Sequence, residues 1–382
     1  MGIYSDYINK QLSFSDLAIE RKKYLKKVCD LRGREVVVYA SDPSKQNAPT
    51  SIIPNDLLPF KDQLSNLTSK DVDIIIETPG GFAETVDDMV EYIHSKFDKV
   101  GIIIPGSAKS AGTIFTMAGD EILMGNTSSL GPIDAQVLNN GKRFSADAFL
   151  DGLEKIKAEV IEKGRLNPAY IPMLQTISPG EIQHFENAQN FSKVLVTKWL
   201  TKYKFKYWEK HCSSGLDVTE EEKLFRATEI ASKLCKHSDW LTHARSIRRE
   251  DLISMGLQII NYSDIPELED AIERYFTLLR ITFDKTAIYK IYETSNSQIY
   301  QSIDQSQVGA NKPEGSIVAY VCPKCHQKFK IHLKFMDGAK DIQGSIPYPK
   351  NDIFKCKVCN TETDLSSLRM QIEAQTKQKV KL

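Results

Sequence analysis

Short apolar runs alternate with amphipathic segments in the first third of the chain. In one amphipathic segment, the apolar positions 86, 89, 90 and 93 share one helical face. The runs themselves are β-branched and lack a polar face, which is typical of strands buried on both sides. Strands alternating with helices at this spacing predict right-handed crossovers and a mainly parallel sheet, an α/β fold. The four predicted strands are Glu35–Ala40, Val72–Glu77, Val100–Pro105 and Glu121–Met124.

The remainder of the chain has a different pattern. The first 30 residues carry apolar positions at helical spacing and predict a peripheral helical segment. Residues 295–315, rich in Ser, Asn, Gln and Gly, predict a polar linker. Residues 144–290 are mostly helical in pattern, and the predicted helices are Phe144–Lys163, Pro179–Lys204, Thr219–Lys236 and Leu268–Thr294.

Composition limits the classes of protein that fit this pattern. A length of 382 residues suits two or three modules, and 41% hydrophobic residues exclude general disorder. Lys plus Arg and Asp plus Glu both number 50, so no overall field attracts a polyanion. The charge is nevertheless uneven, because residues 322–382 hold 12 basic against 6 acidic side chains. A nucleic-acid role would therefore need a local patch in this basic tail.

Location is predicted from the absence of targeting features. The first residues show no basic region followed by an apolar core, and no apolar stretch approaches the 18 or more residues that span a bilayer. Four of the 7 cysteines form two close pairs, which favours metal ligation in a reducing compartment over disulfides. We therefore expect a soluble cytoplasmic protein with no membrane partner.

Two glycine-rich breaks follow predicted strands and could form a catalytic site. Ser110 lies at a turn from a buried strand into a helix, where a nucleophile can be presented at a sharp corner. Thirty residues earlier, Gly80 and Gly81 provide backbone that can approach a substrate carbonyl and donate amides to an oxyanion. Glycine turns after strands are also common in α/β domains without catalysis, so this pattern alone leaves both interpretations open.

Three motifs together are more specific. Glu77–Gly81 (ETPGG), Ala108–Thr113 (AKSAGT) and Leu130–Gln136 (LGPIDAQ) resemble the serine dehydrogenase proteinase family, a branch of the Clp-peptidase and signal-peptide-peptidase superfamily with a Clp/crotonase-like fold of repeated ββα units. The resemblance covers roughly residues 30–290. It implies that Ser110 is the nucleophile of a serine peptidase. It also implies an oxyanion hole formed by Gly80, Gly81 and the amide of Ala111.

The general base is less certain, because Asp134 stands where the Clp peptidase has a histidine. His243 lies near the position that the resemblance gives to the triad aspartate, so Asp134 and His243 would form a Clp-like pair with the two residue types exchanged. Imidazole has the right basicity to take a serine proton, and a carboxylate fixes its tautomer. Two alternatives remain: His243 caps its loop, or Lys155 or Lys157 serves as base, as a lysine does in signal-peptide peptidases.

A metal site is predicted near the C-terminus. Cys322 and Cys325, and Cys356 and Cys359, are two Cys-x-x-Cys pairs that together offer four thiolates for a closed tetrahedral zinc site. Such a site is structural, because it leaves no open position for catalysis. The alternating segment from Lys328 to Phe335 predicts a strand of a zinc-ribbon hairpin.

These observations combine into one functional hypothesis. We expect a cytoplasmic serine endopeptidase, ATP-independent or activated by a partner, that cleaves protein substrates through an acyl-enzyme and assembles into a homo-oligomer. The alternative is a noncatalytic Clp-fold protein that binds a protein or nucleic-acid partner through its zinc ribbon. The predicted divisions are an N-terminal helical segment (1–30), a Clp/crotonase-like peptidase domain (31–265), a helical extension (266–295), a linker (296–315) and a zinc ribbon (316–382).

Overall fold

The computed structural model describes residues 2–45, 47–139, 142–211, 214–303, 315–336, 342–376 and 379–381. The chain divides into an N-terminal unit, residues 1–303, and a C-terminal unit, residues 304–382. Of the predicted linker, residues 304–314 lie outside the described residues.

The strands of the N-terminal unit follow the apolar runs of the sequence. They are β1 (Glu35–Ser41), β2 (Asp71–Glu77), β3 (Lys99–Ile104), β4 (Ser107–Ala108), β5 (Glu121–Met124), β6 (Ser129–Leu130), β7 (Gln136–Asn139), β8 (Lys142–Ser145), β9 (Ile260–Asn261), β10 (Ile288–Thr294) and β11 (Gln298–Ser302). In the described part of this unit, seven of them form one sheet in the order β11-β10-β1-β2-β3-β5-β9. The five strands from β1 to β9 are mutually parallel, and β10 and β11 add antiparallel pairs at one side. The predicted mainly parallel α/β fold is confirmed.

The sheet is buried on both faces, which explains the continuous apolar runs. Along β2, Ile74 and Ile76 belong to the apolar cluster on one face, while Ile75 between them belongs to the cluster on the other. The same alternation occurs in β3. Because successive side chains of a strand point to opposite faces, a sheet covered on both sides needs apolar residues at nearly every position.

Helices cover both faces. They are α1 (Ile3–Asn9), α2 (Phe14–Arg32), α3 (Leu57–Ser65), α4 (Ala83–Lys96), α5 (Ala111–Thr116), α6 (Ala146–Lys163), α7 (Ile171–Leu174), α8 (Pro179–Trp199), α9 (Glu220–Cys235), α10 (His237–Trp240), α11 (Arg249–Ser254) and α12 (Pro266–Lys285). Within the described residues, none of them is long and apolar enough to cross a membrane. The predicted helix from Pro179 to Lys204 is α8 followed by a π-helical turn.

Three predictions about the ends of this unit need correction. The N-terminal segment is not peripheral: α2 packs on α12, and its Arg21 is fully buried against the carboxylate of Glu293, with Nε 2.9 Å from Oε1. The predicted helix from Leu268 ends at Lys285, and residues 288–294 form β10 instead. Charged Lys290 and Glu293 interrupt the apolar pattern of β10, yet both are buried in ion pairs, and this concealed the strand. Strand β11 lies where the linker was predicted to begin.

The C-terminal unit is a small β structure. Its described elements are β12 (Gly315–Val321), β13 (Lys328–Lys334), β14 (Ile346–Pro347), β15 (Ile353–Lys355), β16 (Glu362–Asp364) and α13 (Ser366–Thr376). Strands β12, β13 and β14 form one sheet in that order, and β15 pairs with β16. The predicted strand from Lys328 is present as β13.

Candidate active site and metal site

Ser110 occupies a strained corner between β4 and α5. Its backbone has φ 52° and ψ −117°, a region that residues with a side chain rarely adopt. A hydrogen bond closes the turn, because the Thr113 hydroxyl donates to the carbonyl oxygen of Ala108 at 2.9 Å. The corner leaves Ser110 only partly buried, although Ala108 before it and Ala111 after it are buried. Ser110 is therefore partly exposed at a turn that a hydrogen bond closes.

Gly80 lies directly against this corner. A Cβ on Gly80 would be 2.7 Å from the Cβ of Ser110 and 3.2 Å from the amide nitrogen of Ala111, and the backbone φ of +103° also favours glycine. Any side chain at this position would push the serine turn away. The sequence prediction that the Pro-Gly-Gly break meets the serine turn is thus matched by direct contact.

Two backbone amides near the serine are available to an anion. Among the described residues, neither the amide of Gly81 nor that of Ala111 donates a hydrogen bond. The amide of Gly80, by contrast, donates to the Thr78 hydroxyl oxygen at 3.2 Å. Gly80 therefore differs from its predicted role as a donor: its contribution is the close approach, and the free donors are Gly81 and Ala111.

Lys109 fastens two distant segments to the serine turn. Its Nζ donates to the carbonyl oxygen of Leu130 at 2.7 Å and to the Ser246 hydroxyl at 3.1 Å. Leu130 and Ile247 also exchange backbone hydrogen bonds of 2.9 and 3.0 Å. Partial burial and the nearby charge of Arg248 lower the pKa of Lys109 to about 8. The segments that carry Asp134 and His243 are thus both anchored beside Ser110.

Asp134 and His243 contact each other, 109 residues apart in sequence. Nδ1 of His243 lies 2.6 Å from Oδ1 of Asp134, whose carboxylate is fully buried. Burial alone would raise the pKa of Asp134, but hydrogen bonds, first from His243, lower it below its usual value. The carboxylate is therefore ionised and can only accept, so Nδ1 of His243 is the nitrogen that donates to it, and in the neutral imidazole Nε2 would carry the lone pair.

His237 is a second histidine on the same carboxylate, and sequence reasoning missed it. Its Nδ1 lies 2.9 Å from Oδ2 of Asp134, opposite the oxygen that His243 uses. Its backbone amide donates to Asp147 Oδ2 at 2.7 Å, which holds the start of α10 in place. A histidine in the polar run Lys-His-Ser-Asp gives no local signal of this contact, because its partner is 103 residues away.

Lys155 and Lys157 do not have the burial that would make a lysine a catalytic base. Both are exposed on α6, and Lys157 pairs with Glu154 on the same helix at 3.2 Å. Exposed ion pairs at this spacing are ordinary features of a solvated helix face.

One buried acid lies on the strand that precedes the Pro-Gly-Gly break. Glu77, at the end of β2, accepts hydrogen bonds from the amide of Ser107 at 2.7 Å and from its hydroxyl at 3.2 Å. Burial raises the pKa of Glu77 to about 7, despite these hydrogen bonds and the charge of Arg280. This carboxyl is therefore partly protonated near neutral pH.

The four predicted cysteines come together in the C-terminal unit. Their sulfur atoms all lie within 4.8 Å of one another, an arrangement that could hold a metal ion. Cys322 Sγ is 3.6 Å from Cys359 Sγ, and Cys325 Sγ is 3.6 Å from Cys356 Sγ. Each of these contacts joins a cysteine of the first Cys-x-x-Cys motif to a cysteine of the second. The four sulfur atoms of the two motifs therefore face a common point.

The two motifs fold in the same way. In the first motif, the amide of Cys322 donates to the carbonyl oxygen of Gln327 at 3.0 Å. In the second, the amide of Cys356 donates to the carbonyl oxygen of Thr361 at 2.9 Å. The residue after each motif, His326 or Asn360, has a positive φ, of 56° or 57°. Each motif is thus a tight hairpin turn that presents both of its thiols to the same side.

Comparison with known proteins supports the family prediction. Residues 64–173 match the family of ClpP-like SDH-type serine proteinases. This segment contains the Pro-Gly-Gly break, Ser110 and Asp134, so the resemblance predicted from these motifs is confirmed. His243 and the four cysteines lie outside the matched residues.

Individual relatives cover only parts of the chain. Two uncharacterised proteins of Methanocaldococcus jannaschii are similar: MJ0137 is 25% identical over 174 residues, 42% of this chain, and MJ1495 is 32% identical over 97 residues, 25% of this chain. The chain spans 58% and 33% of their lengths. Two mutants of the 1510-N membrane-bound stomatin-specific protease, one in complex with a substrate peptide, align with a TM-score of 0.33 at 17% and 16% identity. These alignments cover 58% and 57% of this chain and 79% and 74% of those chains.

Proposed function

We propose that this protein is a serine endopeptidase that cleaves protein substrates through an acyl-enzyme on Ser110. The observation that carries the proposal is the strained corner at Ser110, with φ 52°, against which Gly80 is packed without a side chain. Backbone strain of this kind persists only where the surrounding structure imposes it. The match of residues 64–173 to a serine proteinase family supports nucleophilic attack by Ser110 as the chemistry of this corner.

In the proposed reaction, Ser110 Oγ attacks the carbonyl carbon of the scissile bond while His243 Nε2 takes the hydroxyl proton. The ionised carboxylate of Asp134 holds Nδ1–H of His243 and stabilises the imidazolium that forms. The amides of Gly81 and Ala111 donate to the oxyanion, since they have no partner within the described chain.

The remaining steps return the enzyme to its starting state. His243 gives its proton to the leaving amine, the C–N bond breaks, and an ester remains on Ser110. A water molecule then loses a proton to His243 and attacks the ester carbonyl. The bond from the acyl carbon to Ser110 Oγ breaks, His243 returns the proton to Oγ, and the carboxylic acid leaves.

We further propose that the four cysteines bind one structural zinc ion. Four zinc–sulfur bonds of about 2.3 Å in tetrahedral geometry place the sulfur atoms about 3.8 Å apart. Two of the sulfur pairs are 3.6 Å apart, and all four sulfur atoms lie within 4.8 Å of one another, which suits this arrangement. Cys322, Cys325, Cys356 and Cys359 would hold the ion, which would tie the two hairpins together as a zinc ribbon.

The setting of the enzyme is also a proposal. A set of four free thiols suits a reducing compartment, so we place the protein in the cytoplasm. We propose that it acts as a homo-oligomer that shelters the site, and that it works without ATP or is activated by a partner protein.

The test is a peptidase assay of the full chain on an unfolded protein substrate. Ser110→Ala should reduce hydrolysis by at least about 10⁴-fold with the fold intact, because no other group can form the acyl-enzyme. Ser254→Ala is the matched control, since Ser254 is exposed on α11 and its hydroxyl only donates to the carbonyl oxygen of Asp251 among the described residues. Unchanged hydrolysis by Ser110→Ala would refute the proposal, and absent hydrolysis by the wild type would favour a noncatalytic binding protein.

A further inference from the structure

Strand β12 is an open edge of the C-terminal sheet. In the described residues, the sheet order is β12-β13-β14, so β12 has a hydrogen-bonded neighbour on one side only. An edge strand presents unpaired N–H and C=O groups, which are a template for pairing with another extended chain. An edge of seven residues without proline is long enough to accept such a chain.

The register identifies which backbone groups point outward. The amide of Cys322 donates to the carbonyl oxygen of Gln327, so this pair is hydrogen-bonded across the hairpin. Opposed residues in an antiparallel pair alternate between hydrogen-bonded and non-hydrogen-bonded positions. Counting back along the register, Ile317, Ala319 and Val321 occupy non-hydrogen-bonded positions. Their N–H and C=O groups therefore point away from β13, towards the open edge.

The same three residues form one side-chain face. Ile317 and Val321 are 45% and 46% exposed, and Ala319 between them is exposed too. Across the strand pair, Ala319 and Val321 lie opposite the exposed residues Lys330 and Lys328. Neither lysine forms an ion pair with any residue in the described part of the chain. The face thus combines an apolar stripe, two unpaired positive charges and a free backbone edge.

We propose that this edge of β12 binds an extended acidic segment of a polypeptide as an added strand, and that substrates of the peptidase are recruited in this way. Backbone pairing along the edge supplies affinity, while the apolar stripe and Lys328 and Lys330 select β-branched and acidic side chains. The identification of the bound polypeptide as substrate rests on the proposed peptidase function, whereas the binding site itself does not.

The aromatic residues favour a polypeptide over a nucleic acid as the occupant. Binding of single-stranded nucleic acid uses exposed aromatic rings on which bases stack. Tyr320 and Phe329 lie on the opposite face from the lysines and pack on Phe354, with ring centroids 5.1 and 5.3 Å away. The cationic face therefore has no ring available for stacking among its described residues.

The experiment measures binding rather than cleavage, so that failure of the peptidase proposal does not affect it. The full chain with Ser110→Ala is titrated into a short fluorescein-labelled peptide of alternating glutamate and valine, and anisotropy is recorded. Reversing two charges with Lys328→Glu and Lys330→Glu should weaken binding by about tenfold or more and should create binding of the corresponding lysine–valine peptide. The matched control, Lys355→Glu with Lys357→Glu, makes the same charge change on the second hairpin and should change affinity by less than about twofold.

A backbone variant tests the strand addition. Ala319→Pro removes one outward N–H but no hydrogen bond to β13, so the unit should keep its metal content and circular dichroism while losing peptide affinity. The proposal is overturned if neither peptide binds, if the control pair weakens binding as much as the Lys328 and Lys330 pair, or if Ala319→Pro binds normally. Displacement of the acidic peptide by single-stranded DNA at lower concentration than by unlabelled peptide would assign the face to nucleic acid instead.

Discussion

The two units of this protein use their functional residues in opposite ways. In the N-terminal unit, the core consists of two large apolar clusters on the faces of the sheet, and Ser110, His237 and His243 lie outside both. In the C-terminal unit, the small core cluster includes Cys322 and Cys356 themselves. In the first unit, Ser110 and the two histidines are therefore partly exposed additions to an apolar core, whereas in the second unit two of the site residues belong to the core itself.

This difference predicts opposite effects of mutation. Removing the side chain of Ser110 or His243 from the N-terminal unit should abolish chemistry and leave stability intact. Removing a cysteine from the C-terminal unit should abolish structure and leave the chemistry of Ser110 intact. Small units gain much of their folding free energy from a bound metal, while a large two-faced sheet gains it from apolar burial.

The largest expected effect comes from the residues around Asp134. His243→Ala should reduce turnover nearly as much as loss of the nucleophile, by about 10⁴-fold, and Asp134→Asn should cause a smaller loss of about 10²-fold or more, because the amide no longer fixes the imidazole. Lys155→Ala and Lys157→Ala are controls that should be nearly neutral. Steady-state kinetics together with thermal unfolding of each variant make this check. An essential lysine and a dispensable His243 would place the protein with the signal-peptide peptidases.

A substitution at His237 tests which of the two histidines on Asp134 is the general base. We expect His237→Phe to lower kcat by less than about tenfold, because His243 keeps its own oxygen of Asp134. If His237→Phe is as inactive as His243→Ala, the proton acceptor has been assigned to the wrong histidine.

Metal removal tests whether the cysteines hold the C-terminal unit together. A strong chelator, or Cys356→Ser, should unfold residues after about 315, because the two hairpins are no longer joined by a metal ion bound to their four thiolates. Limited proteolysis with mass spectrometry should show new cleavage sites confined to the C-terminal unit. Cys29→Ser is the control, since Cys29 lies in the N-terminal unit away from the cluster. Loss of folding in the N-terminal unit on chelation would contradict the division into independent units.

The smallest effect is a pH dependence of stability in the N-terminal unit. Because burial raises the pKa of Glu77 to about 7 from 4.5, the folded state binds more protons than the unfolded state between these values. The stabilisation by protonated Glu77 is complete below about pH 4.5 and is lost as the pH rises through about 7. Glu77→Gln should remove this loss, which is at most about 3 kcal/mol.

Urea unfolding at about pH 5 and about pH 8 measures the difference, with Glu84→Gln on the exposed side of α4 as the control. Wild type and Glu84→Gln should lose the same amount of stability between the two pH values, and Glu77→Gln should lose less. Equal losses in all three proteins would show that Glu77 titrates as an ordinary exposed acid.

The sequence predicted those features whose signal is local. Strands buried on both faces give continuous apolar runs, and two Cys-x-x-Cys motifs indicate a cluster of four thiols that could hold a metal ion, so both features were predictable from the sequence. Strand β10 could not, because Lys290 and Glu293 are polar residues whose burial depends on partners such as Asp56 and Arg21, far away in sequence. His237 was missed for the same reason, since only the folded chain brings it to Asp134. The hydrogen bond that the Gly80 amide donates to the Thr78 hydroxyl was likewise not predictable, because it depends on the folded conformation of the turn.

The central claim is that Ser110 is a nucleophile in a unit that does not depend on the metal. The most direct test treats the wild-type full chain with a fluorophosphonate probe, with and without a chelator, and locates the adduct by mass spectrometry. We expect one adduct, on Ser110, formed at similar rates in both samples, and much slower labelling of His243→Ala. An adduct on another serine, no adduct at all, or labelling that disappears with the metal while the N-terminal unit stays folded would contradict it.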